Sequence, residues 1–253
     1  MPAPKGRRRR GPWVIAAVAA VVVIAVVAVV FSVGGKRHQP IGGGGLPGGY
    51  SSTTTTAGSA TGTYAPDPLT RLPTAEEIEQ VTLLAVHEVG VPYTIAAPDT
   101  KATPSNCALA DHPTSKSAWG TTQTEAGRLY TDGTYTSYQN TVGVDLAVFS
   151  TAAEATQSLT KIADSVTNCV GRYTTPSGQG GAPVASSVIS VRQSANAISW
   201  AGNTLDQERP WICSMAYRVE SNLAASSVIC GVNETDSPAK LVELTLNKAT
   251  GRV

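Results

Sequence analysis

WICSMAYRVESNLAASSVICGV, running from Trp211 to Val232, consists of two β-prone runs joined at Ser221-Asn222. A two-residue link is the commonest way to close a β-hairpin, and both arms are rich in residues that suit a pleated surface. With Ser221-Asn222 as the link, Glu220 faces Leu223, and seven residues further along each arm Cys213 faces Cys230. Residues directly opposite in an antiparallel pair lie at a Cα separation that a disulfide spans. The hairpin therefore joins two of the four cysteines and leaves Cys107 to Cys169. A zinc site needs ligands at close spacing such as C-x-x-C, which the sequence lacks.

Upstream of the hairpin the period-two pattern continues. Val142, Val144, Leu146 and Val148 alternate with Gly143, Asp145 and Ala147, which predicts an amphipathic strand with Asp145 on its solvated side. Further strands are expected near 123–131, 134–140, 184–192 and 196–202. Three helices punctuate them. Thr74 with Glu77 forms a capping box, and Ile78, Val81, Leu84 and Ala85 recur at helical spacing as far as Gly90. Thr151 with Glu154 opens a second helix carrying Leu159, Ile162, Ala163 and Val166 on one stripe. Ser237 as cap and Pro238 at the first helical position open a third, with Leu241, Leu244 and Ala249 inward. Strands joined by short turns, with a few helices, predict an α+β domain: an antiparallel sheet with helices packed on one face.

The N-terminal third has a different composition. Trp13 to Val33 is 21 residues without a charge, with Ser32 as its only polar side chain. Such a run matches the roughly 30 Å hydrocarbon core of a bilayer. It exceeds the about 7 to 15 apolar residues of a signal peptide, and no A-x-A cleavage site follows it. Lys5 and Arg7–Arg10 precede the run, while Lys36 and Arg37 follow it, so the N-terminus is expected in the cytosol. The expected organisation is a basic cytoplasmic tail (1–12), a transmembrane helix (13–33), a disordered Gly/Pro/Ser/Thr-rich linker (34–73) and an extracytoplasmic domain (74–253). All four cysteines fall in that last part, as expected for an oxidising compartment. The first 37 residues hold seven Lys or Arg and no acid, leaving 12 basic and 18 acidic residues outside, a balance of −6. That balance argues against a nucleic-acid partner.

Trp211-x-Cys213, an alternating strand, Val228-Ile229-Cys230-Gly231 and a terminal helix resemble the end of the PknH-like extracellular domain family. So does the upstream order of a strand ending in Phe149-Ser150, a helix over Ala152–Val166, and Cys169. The resemblance covers about residues 74–253. Family members commonly carry a Trp three residues before the second cysteine, where this chain has Val166. The resemblance implies two disulfides, a sheet-based α+β fold, and a cleft for an unidentified ligand.

Catalytic motifs are missing from the sequence. His87-Glu88 opens like a metalloprotease motif, but Val91 stands where the second ligand belongs, and His112 reads as a loop residue. No G-x-S-x-G elbow or kinase motif set occurs. Asp145, Glu154, Asp206 and Glu208 read as solvated carboxylates. Neither enzymatic activity nor a cofactor or metal is expected. Most of the aromatic residues read as core or turn anchors; Tyr135, Tyr138, Trp200 and Trp211 are the candidates for lining a ligand cleft, where an apolar or glycan-like ligand would stack. The leading reading is a membrane-anchored binding or sensor-type domain for an envelope ligand or protein. An assembly accessory of an envelope complex and a cell-wall hydrolase are the alternatives.

Overall fold

The computed structural model describes residues 63–253, apart from 135–136, 170, 177–181, 206–210 and 234. The expected tail, membrane helix and most of the linker lie outside the described residues. Among the described residues no helix is long and apolar enough to cross a membrane.

Helix α1 (Pro68–Arg71) and helix α2 (Ala75–Thr82) lead into strand β1 (His87–Tyr93). The capping box forms as expected: Thr74 N–H donates to Glu77 Oε2 (2.7 Å) and Glu77 N–H to Thr74 Oγ1 (3.3 Å). The helix stops well short of Gly90, however. Leu83 adopts a left-handed conformation (φ 61°), and Leu84 N–H turns back onto Thr82 Oγ1 at 3.1 Å. Residues 87–90, expected to complete the helix, belong instead to the strand over His87–Tyr93, so sheet formation overrides the apolar spacing.

Two further short helices, α3 (Ala108–Asp111) and α4 (Lys116–Trp119), precede strands β2 (Thr122–Thr131) and β3 (Thr141–Phe149). The strand expected near 134–140 is a connection in which Asp132 Oδ1 accepts the N–H groups of Gln139 (2.9 Å) and Asn140 (3.0 Å). A carboxylate that satisfies successive backbone donors competes with a ladder and favours a turn. Helix α5 (Ala152–Asn168) follows, capped by the predicted Thr151–Glu154 box. Then come β4 (Arg172–Thr175), which the sequence did not signal, β5 (Val184–Gln193), β6 (Ala197–Thr204), β7 (Ile212–Glu220), β8 (Leu223–Gly231) and α6 (Ser237–Thr250). Helix α6 has Asp236 rather than Ser237 at its cap position, and it buries Leu241, Leu246 and Ala249, with Leu244 half-buried.

The eight strands form one antiparallel sheet in the order β1-β2-β3-β8-β7-β6-β5-β4. Helices cover both of its faces, not one. Val142, Val144, Leu146 and Val148 of β3 share a core with Ile78 of α2 and Leu241 and Leu246 of α6. Ala147 and Phe149, on the opposite side of β3, share a second core with Leu159 and Ile162 of α5 and Trp119 of α4. Every residue of β3 is buried, so the alternation read as amphipathic separates two cores.

Cys213 pairs with Cys230 across the hairpin in the predicted register, and Cys107 bonds to Cys169 at the end of α5. The turn residue Asn222 is 1% exposed; its amide donates to Phe149 O (2.9 Å) and Tyr64 O (2.8 Å) and accepts from Tyr64 N–H (2.8 Å). Pro68 and Leu72 are buried too. The packed domain therefore begins before Thr74, inside the stretch whose composition reads as linker.

Candidate functional site

Of the four aromatic cleft candidates, the structure brings two together. Tyr138 and Trp211 stack edge to face with ring centroids 6.1 Å apart, where the β2–β3 connection meets the start of β7. Trp200 is 2% exposed and donates from Nε1 to Ala110 O at 2.9 Å, which makes it a core anchor beneath α3. Tyr135 lies outside the described residues. Trp119 and Tyr130 are also core residues, donating to Tyr217 Oη (2.8 Å) and Pro73 O (2.6 Å).

A cleft of about 330 Å³ opens at the other side of the sheet, against β2. It forms because β1 covers only part of its neighbour. The pairing runs from His87↔Thr131 to Tyr93↔Gly127 and slips between Val89 and Tyr93. A Cβ on Gly127 would stand 2.1 Å from the Tyr93 ring, so the glycine lets that ring cross the strand as β1 departs. Beyond that point Thr94 forms one wall, Gln123–Ala126 of β2 another, and Asp67–Leu69 at the start of α1 a third. Asp67 caps α1, accepting from Leu69 N–H at 3.1 Å. Glu125 accepts from Thr122 Oγ1 at 2.8 Å; burial nevertheless raises its pKa, outweighing that bond and one from the Ala96 N–H.

One buried carboxyl is a residue that the alternation along β3 assigns to solvent. Asp145 is 5% exposed. In its row across the sheet its neighbours are Gly127 on β2, Ser226 on β8 and, beyond that, Tyr217 on β7. Its Oδ1 has no hydrogen-bond partner, and burial pushes its pKa up to about 8. The Tyr217 hydroxyl lies in the same core, bonded to Trp119 Nε1 (2.8 Å) and Ser158 Oγ (2.7 Å). Burial raises the Tyr217 pKa as well, and the nearby Asp145 adds to the shift.

The two domain histidines play different parts. His87 starts the edge strand opposite Thr131. His112 follows α3 with Nδ1 2.7 Å from the Asp111 carboxylate, whose side chain is 4% exposed, and Tyr173 Oη reaches Asp111 Oδ1 at 3.4 Å. Burial disfavours the imidazolium, but the Asp111 charge and bond outweigh it and raise the His112 pKa. Adjacent Asp111-His112 was visible in the sequence; its burial was not, because α3 is a single turn that follows the disulfide-bonded Cys107 and whose packing partners lie far away in the chain.

These features define an α+β domain stapled by two disulfides, with a sheet clasped between helices. A family model for the PknH-like extracellular domain matches residues 48–248, and the chain belongs to that family. Its fold is shared with the crystal structure of the extracellular domain of PknH from Mycobacterium tuberculosis. That comparison gives a TM-score of 0.67 at 17% identity, covering 74% of this chain and 98% of that one. A putative uncharacterized protein from Mycobacterium smegmatis, 17% identical over 72% of this chain and 98% of its own, has a TM-score of 0.30, too low to bear on the fold. The comparison with curated proteins found no match.

Proposed function

We propose that the chain is a membrane-anchored, extracytoplasmic binding domain of the sensor type, and that its ligand sits in the cleft against β2. The supporting observation is the cleft itself: a concave site of about 330 Å³ beside an incompletely covered strand, with two carboxylates and no basic side chain in its walls. Its chemistry suits a ligand that offers hydrogen-bond donors or positive charge. The test is mass spectrometry of compounds retained by the purified full chain in detergent. A compound kept by the native chain and lost from the double variant Asp67→Asn, Glu125→Gln supports the reading; retention unchanged by that variant overturns it.

In this reading residues 13–33 span the membrane and residues 34–62 tether the domain outside it. A reporter that works only outside the cytosol, fused after Val253, is expected to be active. Activity of a cytosolic reporter alone at that position would reverse the orientation. Neutralising Arg7–Arg10 should produce a mixed population, because the charge difference across the span then nearly vanishes.

A further inference from the structure

From the course of β1 and the charge of the cleft walls, we infer that the cleft takes an extended peptide segment bearing Lys or Arg, which pairs with the uncovered edge of β2. The inference rests on the cleft being the binding site and adds the class of its occupant.

β2 runs from Thr122 to Thr131, but β1 pairs only with Gly127–Thr131. Thr122–Ala126 therefore has β3 on one side and, among the described residues, no strand on the other. An unpaired strand edge offers N–H and C=O groups to another chain, and here the run is regular over Thr124–Ala126, with a bulge at Gln123. Three residues of regular strand span about 10 Å, room for the middle of a short peptide. Four of the five uncovered residues, Gln123–Ala126, line the cleft.

Charge selects among peptides. Asp67 and Glu125 are the ionisable groups in the cleft walls, and each carboxylate has more acceptor sites than its observed bonds occupy. A Lys or Arg side chain alternating along a paired strand meets them, whereas an acidic segment is repelled.

The probe is a fluorescein-labelled pentapeptide, Thr-Lys-Val-Lys-Thr with blocked ends, titrated into the full chain in detergent. Saturable binding is expected, weakened at least tenfold when Glu replaces both lysines or when the chain carries Asp67→Asn with Glu125→Gln. Each amide keeps one acceptor oxygen, which can still take the bond from Leu69 N–H or Thr122 Oγ1, so the local structure is retained. Methylating alternate backbone nitrogens of the probe should abolish binding, which a purely electrostatic contact would survive. Equal affinity of the methylated probe overturns the inference. So does a probe that neither binds nor displaces a compound retained through Asp67 and Glu125; the cleft then keeps its binding role with a different ligand. A retained compound indifferent to the double variant would instead remove the cleft reading itself. Two competing occupants have their own signatures: concentration-dependent dimers dispersed by the probe would put a second copy on the edge, and binding gained only after deletion of 34–62 would put the chain's own segment there. Either result overturns the assignment to a separate peptide.

Discussion

Asp145→Asn is expected to stabilise the domain, and to do so more strongly as pH rises. The carboxyl titrates near 3.8 when unfolded and is pushed up to about 8 by burial in the fold. Below pH 3.8 both states hold the proton, and the group costs nothing. Between 3.8 and 8 the unfolded chain releases the proton while the folded chain keeps it, so each pH unit favours unfolding by about 1.4 kcal/mol. At pH 7 the accumulated cost is about 4 kcal/mol, a large part of the 5–15 kcal/mol typical of a domain. Above 8 both states ionise and the slope vanishes. An asparagine keeps the shape without the titration. Urea unfolding followed by tryptophan fluorescence should therefore give a difference between variant and native chain that grows by about that amount from pH 4 to pH 7. Parallel pH profiles would mean that the carboxyl is solvated in the folded state.

The same residue shows where sequence reading succeeds and where it stops. Alternation along β3 correctly identifies a strand and one buried side, which the structure packs against α6. It says nothing about the second face, because Gly143, Asp145 and Ala147 read alike whether they meet water or a helix. What buries them is α5 together with Trp119 and Tyr217, and those contacts depend on the strand order of the whole sheet. The third helix was legible from Pro238 onward, but which face of the sheet it covers is a matter of topology.

Local signals carry furthest where they are closed within a few residues. Both capping boxes form, and the hairpin register holds to the residue, since turn and strands specify each other. Helical spacing from Ile78 to Leu84 extrapolates wrongly into β1, because Val89 and Val91 suit either structure and pairing with β2 decides. The cleft was beyond reach for a similar reason. Its walls come from residues 67–69, 94 and 123–126, and no spacing rule links them. Gly127 was the available hint: an isolated glycine inside a strand pattern often marks close approach of another group, here the Tyr93 ring.

Replacing Cys107 and Cys169 together with alanine is expected to cost about 4 kcal/mol, against about 3 kcal/mol for Cys213 with Cys230. Closing a loop removes entropy from the unfolded chain in proportion to the logarithm of its length, and the separations are 62 and 17 residues. The fold widens the gap between the two pairs. Cys213 and Cys230 already face each other within a ladder of nine residue pairs, so the hairpin remains closed without the bond. Cys107 sits in the segment between β1 and β2, which has isolated bridges such as Thr103–Thr174 in place of a strand ladder. Hydrogen bonds that also tie the segment to α5 are Asn106 Nδ2 donating to Asn168 O at 2.8 Å, Ser165 Oγ donating to Asn106 O, and Lys161 Nζ donating to Ser117 O at 2.9 Å. Loss of the first disulfide should therefore raise amide exchange selectively over residues 103–119, uncovering the Asp111–His112 pair, while loss of the second leaves that segment protected. Equal exchange across the sheet in both double variants would show that the bonds act only on the unfolded chain, and that α3 and α4 hold their places by packing alone.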